Sequence, residues 1–347
     1  MKSIFVFLSF VIISNVAHTQ TKDDTLFVAH WNVENLFDTI DDSLKQDEEF
    51  LSTSEKEWTN ERLDKKMYNL SRVIRSMNNG KGPDLLGVCE VEHQYLLDTL
   101  INKYLFDKSY KTAYLESPDG RGIDNGLIYN SKIFSFIAAK GFSVALPDGY
   151  KTRLIFYTSL LFNKKDTVHF FVNHWPSRRG GEDKSEVNRI EAAKTLRMVV
   201  DSLYRINIKS KIFIVGDFND EPVNFSINDQ LKAKPFLCDD VKPQNLKSEN
   251  ETDLFNCSYE AFSNGDGSYK YKDDFNMLDQ IIISKNLLDG NEITYVCKSF
   301  GVYKPALMVT RTGKYMGAPF PTYGGARYLG GYSDHFPVIT KFIFKSK

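Results

Sequence analysis

Short apolar runs that stop abruptly at acids, amides or histidines are the feature that most restricts how this chain can fold. The clearest is Asp84-Leu85-Leu86-Gly87-Val88-Cys89, which breaks off at Glu90-Val91-Glu92-His93. A carboxylate directly after a buried strand is costly unless a cation or solvent meets it there. The run Thr25 to Trp31 ends the same way, at Asn32-Val33-Glu34-Asn35, where strand alternation sets Asn32 and Glu34 on one face. So does Val168 to Asn173, followed by His174-Trp175-Pro176-Ser177-Arg178-Arg179-Gly180-Gly181. Lys211 to Val215 leads into Gly216-Asp217-Phe218-Asn219-Asp220, and Leu278-Asp279-Gln280 opens the strand Ile281 to Ile283. Near the C-terminus, Gly330-Gly331-Tyr332-Ser333-Asp334-His335 sets a carboxylate and an imidazole at the mouth of a strand beginning at Val338.

Each grouping has a chemical use. Glu90 is the natural partner of a hard, oxygen-seeking cation such as Mg2+ or Ca2+. Asp217 and Asn219 share a face, one an acceptor that can hold a proton or a metal, the other an amide that can donate to an oxyanion. Asp279 suits the orienting of a histidine, the arrangement that makes an imidazole a competent base. His174, beside two arginines and a glycine pair ahead of a helix, suits the gripping of a phosphate. Arg121 and Asn125, in Arg121-Gly122-Ile123-Asp124-Asn125-Gly126, fit either substrate contacts or a plain β-turn.

Between these ends the pattern is mixed. Leu63, Met67, Leu70, Val73, Ile74 and Met77 recur at helical spacing over Arg62 to Met77, closed by Asn78-Asn79-Gly80. A second long helix is expected over Ser185 to Leu203, with Val187, Ile190, Leu196, Val199, Val200 and Leu203 on one side. Further strands are expected at Asn125 to Tyr129, Ile155 to Phe162, Gln280 to Ser284 and Val338 to Phe344, several joined by short connections. The expectation is therefore mixed sheets covered by helices, not a purely parallel sheet. Asp239 to Lys272 is polar and turn-rich and reads as a long surface excursion within one domain.

With 44 basic against 45 acidic residues among 347, no global positive field draws the chain to a polyanion, so any such binding must be local. The hydrophobic content of 42% is that of a globular chain with ample core. Met1-Lys2-Ser3, the apolar run Ile4 to Ile13 and the small residues to Ala17 have the layout of a secretory signal peptide. Residues 1–20 are expected to be removed, residues 21–347 to form a single domain, and the product to be secreted or periplasmic without a lipidated cysteine. Of four cysteines, Cys238 and Cys257 are the candidate pair, and Cys89 reads as an inert buried thiol.

Taken in order from Asn32 to His335, the strand-end clusters resemble those of the endonuclease/exonuclease/phosphatase superfamily, metal-dependent phosphodiesterases that include deoxyribonucleases, apurinic-site endonucleases and sphingomyelinases. The resemblance implies an α/β four-layer sandwich, two mixed β-sheets packed face to face with helices outside and the site at one edge of the sheet pair. It implies Glu90 as principal Mg2+ ligand, Mn2+ or Ca2+ being alternatives, supported by Asn32 and Asp334. It implies Asp217 and Asn219 handling the nucleophile and phosphate oxygens, His335 paired with Asp279 as activator of water or stabiliser of the transition state, and His174 as the second histidine at the phosphate. Glu34 stands where many relatives have Asp, a longer reach toward metal, and Gln280 where many have His or an apolar residue. The His-Trp-Pro-Ser-Arg run with its glycine pair looks most like secreted bacterial members.

Arg178 and Arg179, ahead of a helix with Lys184 and Arg189, concentrate positive charge on one rim, which favours a nucleic acid as substrate. A phospholipid or a small phosphate ester is the alternative, and pairing of these arginines with Glu182, Asp183 and Glu186 is the plainer use of the charge. A non-catalytic phosphate-binding module is a remote third reading, since Glu90, Asp217 and His335 are all present. No protein partner is evident.

Overall fold

The computed structural model describes residues 23–238, 250–288 and 292–345. The expected signal peptide at 1–20 lies outside the described residues. Two mixed sheets of seven strands each form the body. The first runs in the order β14 (Ile293–Tyr295), β18 (Val338–Lys345), β1 (Asp23–Leu36), β2 (Leu85–Val91), β4 (Asp124–Asn130) and β3 (Tyr110–Tyr114), with β15 (Gly301–Val302) beside β18. The second runs β5 (Phe134–Phe142), β6 (Ile155–Phe162), β7 (Asp166–His174), β8 (Lys211–Asp217), β13 (Asp279–Ser284), β10 (Leu254–Asn256) and β9 (Ala233–Pro235). Its strands all come from one continuous stretch, whereas the first sheet is assembled from segments on both sides of that stretch. Two small ribbons, β11 (Tyr269–Tyr271) with β12 (Asp274–Asn276) and β16 (Tyr323–Gly324) with β17 (Arg327–Tyr328), stand apart.

Alternation along the strands builds the layers. Leu26 and Val28 of β1 point into the apolar core between the sheets with Leu85, Phe170, Val172, Phe213, Val215, Ile281 and Phe342. Phe27, Ala29 and Trp31 point the other way, against Met67, Leu70 and Val73 of α1 (Asn60–Ser76). On the far side Leu196 and Val200 of α3 (Glu182–Ile206) cover Phe171, Ile212 and Ile214. Strands buried on both faces therefore carry apolar residues at consecutive positions, which is why they read as unbroken runs. The sheets approach closely at Gly87, where a Cβ would sit 2.5 Å from a methyl carbon of Val215. Helix α1 starts where Thr59 accepts a hydrogen bond from the Arg62 backbone and ends before the Asn78-Asn79-Gly80 turn, and a short helix α2 (Gln94–Thr99) follows β2.

Three expectations need correction. In α3, Val187 is exposed while Arg189, Ala192 and Ala193 are buried, because the helix turns a charged residue, paired at 2.6 Å with the buried Asp220, toward the sheet. Within the supposed surface excursion, Leu254–Asn256 joins the second sheet as β10 and is followed by α4 (Tyr259–Ser263). A three-residue strand is too short to show alternation. The disulfide is Cys238–Cys297, not Cys238–Cys257, with Cα atoms 5.5 Å apart. Cys257 is held beside β13 through its N–H to the Ile281 carbonyl and lies in the core between the sheets. Cys89 is a buried free thiol, and burial pushes its pKa up. Among the described residues no helix is long and apolar enough to cross a membrane.

Candidate active site

Register brings the strand ends together. β7 and β8 are parallel with His174 opposite Asp217, and β13 is antiparallel to β8 with Asp279 opposite the same Asp217. Three functional side chains thus stand in one row at one end of the second sheet. β1 and β2 are parallel with Asn32 opposite Cys89, so Glu90 follows at the matching end of the first sheet. His335 arrives just before β18, fixed by its carbonyl, which accepts from the Trp31 indole at 2.9 Å. The chain leaves these strands through residues with left-handed backbones: Glu34 (φ 53°), Asn35 (51°), Glu90 (64°) and Asn219 (52°). For a residue with a Cβ this conformation costs about 1–2 kcal/mol, a cost carried here at the residues that furnish the site.

A continuous network joins them. Asn32 Nδ2 donates to Glu90 Oε1 and to Asp217 Oδ2, each at 3.1 Å, while its Oδ1 accepts the Glu34 N–H. Glu90 Oε2 accepts the Asn35 N–H at 2.9 Å. Asp217 Oδ1 accepts the Asn219 N–H at 3.0 Å, and its Oδ2 lies 3.7 Å from His174 Nε2 and 3.9 Å from His335 Nε2. Asn219 Nδ2 donates to the Trp175 carbonyl. His335 Nδ1 meets Asp279 Oδ2 at 2.7 Å. Asp279 is fully buried, accepts from Ser268 Oγ at 2.6 Å, and has His30 Nε2 at 3.1 Å from its other oxygen.

Burial and charge set the protonation states. Burial pushes the His335 imidazole down, but Asp279, Asp334 and Asp217 around it hold its pKa well above the ordinary value. His174, by contrast, is driven well below by burial and then by Arg153 and Arg121. Burial would raise Asp279, yet His335 and His30 keep it well below the carboxylate range. Asp217 is raised by burial. Asp334 is raised to about 7, first by burial and then by Glu34 and Glu90, with His335 and Lys66 opposing. One histidine therefore faces the cleft charged and the other neutral, between them a cluster of carboxylates.

The network floors a cleft of ≈ 690 Å³ whose walls include Arg121, Arg153, Arg178, Arg179, Tyr269 and Asp334. Arg178 is already engaged, its Nε donating to the Asn219 carbonyl at 2.7 Å and its Nη1 lying 3.2 Å from Glu182. Asn125 is not a cleft residue: it is buried and its Nδ2 donates to the Leu154 carbonyl at 2.9 Å and the Val172 carbonyl at 3.4 Å, so it ties the sheets together. Glu34 does not extend toward a metal; its Oε2 accepts the Thr322 N–H at 2.7 Å and it faces Lys66.

Four residues emerge only from the structure. Lys66 of α1 is buried behind the site, donating to Thr322 Oγ1 at 2.6 Å and the Tyr332 carbonyl at 2.7 Å, with Glu34 Oε2 at 3.6 Å. Arg153 is buried, reaches Asp119 at 3.2 Å and donates to the His174 and Trp175 carbonyls. His30 backs Asp279, and the Tyr269 ring lies 4.7 Å from that of His335. A lysine in helical phase with Leu70 and Val73 was the available signal for Lys66; Arg153 and Tyr269 come from segments with no periodicity.

Two stacked mixed sheets with acids, amides and two histidines at one common edge define a phosphate-ester-hydrolase architecture. The sequence profile of the endonuclease/exonuclease/phosphatase family matches residues 27–344, and the chain belongs to that family, whose named activities all hydrolyse phosphate esters. Among curated proteins none matches the sequence. Among solved structures, an endonuclease/exonuclease/phosphatase family protein from Bacteroides thetaiotaomicron is similar at 14% identity and a TM-score of 0.57, covering 94% of this chain and 100% of that one. A mannosyl-6-phosphatase of the same organism is similar at 15% identity and 0.55, covering 92% and 100%. TDP2 of D. rerio, complexed with a single-strand DNA product, is similar at 13% identity and 0.52, covering 92% and 98%.

Proposed function

We propose that the chain is a divalent-metal-dependent phosphodiesterase that hydrolyses a nucleic acid by in-line attack of water. The observation that carries this reading is the His335–Asp279 pair set across Asp217 from His174, at the floor of an arginine-walled cleft. The residues fit a hard cation: Glu90, Asp217 and Asp334 crowd one region in which Lys66 is a buried counter-charge, and burial among acids raises Asp334. Glu90 and Asp334 would hold Mg2+, or Mn2+ or Ca2+, with Asn32 beside them. Such an ion neutralises phosphoryl oxygens and acidifies bound water.

The chain's own groups do the rest. Asp217, oriented by the Asn219 N–H and the Asn32 amide, takes the proton of the attacking water. His335, kept charged by Asp279, stabilises negative charge growing on the phosphoryl group, and His174 contacts it from the opposite side. Arg121, Arg178 and Arg179 bind neighbouring phosphates of the strand, a salt-dependent contribution in a nearly neutral protein. That a structural neighbour holds a DNA product supports this choice. The engagement of Arg178 by Glu182 favours a second reading, a small phosphate monoester, in line with the mannosyl-6-phosphatase neighbour.

Glu90→Gln should lower turnover by about two orders of magnitude or more, measured with Mg2+ on DNA, RNA, sphingomyelin and mannose 6-phosphate. Undiminished activity at saturating Mg2+ removes Glu90 from the reaction, and preference for the sugar phosphate selects the second reading. We also read the protein as exported, from the pattern of residues 1–20; a native product whose N-terminal sequence retains Met1 contradicts this.

A further inference from the structure

A second group of ligand-type side chains lies outside the cleft, where β1 and β2 give way to their following loops. Asp38, Glu92 and His93 each offer a ligand atom, all within 4.8 Å of one another. None of the three lines the cleft. Asp38 is 7% exposed and Glu92 1%, and Asp47, whose charge reaches Glu92, is 2% exposed. Their hydrogen bonds are incomplete. The Asp38 N–H donates to Glu92 Oε2 at 2.7 Å, the Ile40 N–H to Asp38 Oδ1, and the Tyr95 hydroxyl to Asp38 Oδ2. Glu92 Oε1 and Asp47 Oδ1 are buried without a partner. Among the described residues no lysine or arginine forms an ion pair with Asp38, Asp47 or Glu92; the nearby Lys45 goes instead to Glu116 and to the Ser117 and Asp119 carbonyls.

Three buried carboxylates, two of them with an orphaned oxygen and none paired with a lysine or arginine among the described residues, are unfavourable unless a cation meets them. We propose that Asp38, Glu92 and His93 form a second divalent-cation site, distinct from the candidate active site. A donor set of two carboxylates and one imidazole suits a first-row ion that accepts both oxygen and nitrogen, Mn2+ or Zn2+, better than an all-oxygen ion such as Ca2+. His93 is held as ligating histidines commonly are, its Nδ1 against the Glu116 carboxylate at 2.8 Å. Its side chain is 26% exposed and Tyr95 is 46% exposed, so the site has a route to solvent. The Glu92 N–H donates to the Leu36 carbonyl at 3.1 Å, so a cation here fastens together the ends of the two strands that carry Asn32 and Glu90.

Glu90→Gln isolates this site from the first. Mn2+ binding followed by electron paramagnetic resonance should give one ion per Glu90→Gln chain, with affinity falling at least tenfold when Asp38→Asn and His93→Gln are added. Absence of Mn2+ from the Glu90→Gln protein, or affinity unchanged in the triple variant, overturns the proposal. A second readout needs no change in the cluster: Zn2+ added to Glu90→Gln protein should shift the imidazole nitrogen resonances of His93, and an unshifted His93 refutes the assignment even if the triple variant does not fold.

Discussion

Replacing Lys66 by methionine removes the buried cation that lies between α1 and the segment carrying Asp334. Its ammonium makes two hydrogen bonds, to Thr322 Oγ1 and the Tyr332 carbonyl, and stands 3.6 Å from Glu34 Oε2. Burial lowers its pKa, while Glu34, Asp334 and Glu90 support the charged form. Removing one partner of a buried pair typically costs about 3–5 kcal/mol, because the other charge stays behind. The orphaned Tyr332 carbonyl adds to the loss, so Lys66→Met should lower unfolding free energy by about 4 kcal/mol. Glu34→Gln removes the stranded charge while keeping an oxygen for the Thr322 N–H. The double variant should therefore be more stable than the sum of the single losses by about 2 kcal/mol. Urea unfolding followed by tryptophan fluorescence measures all three, since the Trp58 ring lies 5.9 Å from that of Tyr323 in the segment Glu34 holds. Losses additive within about 0.5 kcal/mol would refute the coupling.

Two further outcomes follow from the site and the second sheet. His335→Ala and Asp279→Ala should each depress kcat, yet their combination should cost little more than either alone, because the pair acts as a unit at 2.7 Å; a fully additive cycle in steady-state kinetics separates them. His169, on β7 away from the cleft, has its pKa lowered from 6.5 to about 4 by burial. The folded chain thus binds this proton less tightly than the unfolded chain. The associated stability is present above about pH 6.5 and is lost as pH falls toward 4, by at most about 3 kcal/mol. Denaturation between these pH values should show that slope in the parent protein and a shallower one in His169→Gln.

What was legible in the sequence was the site more than the scaffold joining it. Glu90 and Asp217 announce themselves because each ends an apolar run, Asp279 and His335 because each stands at the head of one, and a buried charge at a strand end needs a chemical reason. The pairing of His335 with Asp279 could be expected for the same reason and is realised through β13 and the start of β18. Lys66 and Arg189 were hidden because a charged residue on an amphipathic helix reads as solvent-facing, although both fall in phase with buried neighbours. For Asn125 the sequence left a substrate contact and a plain turn open, because a turn-like sequence says nothing of direction: on β4 its amide points inward, to the Leu154 and Val172 carbonyls. Cysteine pairing was not legible either, since spacing along the chain carries no information on which thiols the sheets bring within reach.

The order in which the sheets are assembled has a temporal consequence. The second sheet, with His174, Asp217 and Asp279, is encoded in the stretch from β5 to β13 and needs no strand from outside it. The first sheet cannot close until β18 arrives to pair with β1, joining Asp23 to Lys345. Asp334 and His335 come just ahead of that final strand, and the histidine that Asp279 pairs with lies 56 residues further along the chain. A chain cut short before residue 333 carries most of the strand-end cluster but neither of these groups, so the candidate site is completed by the last strand and not gradually as the polypeptide lengthens.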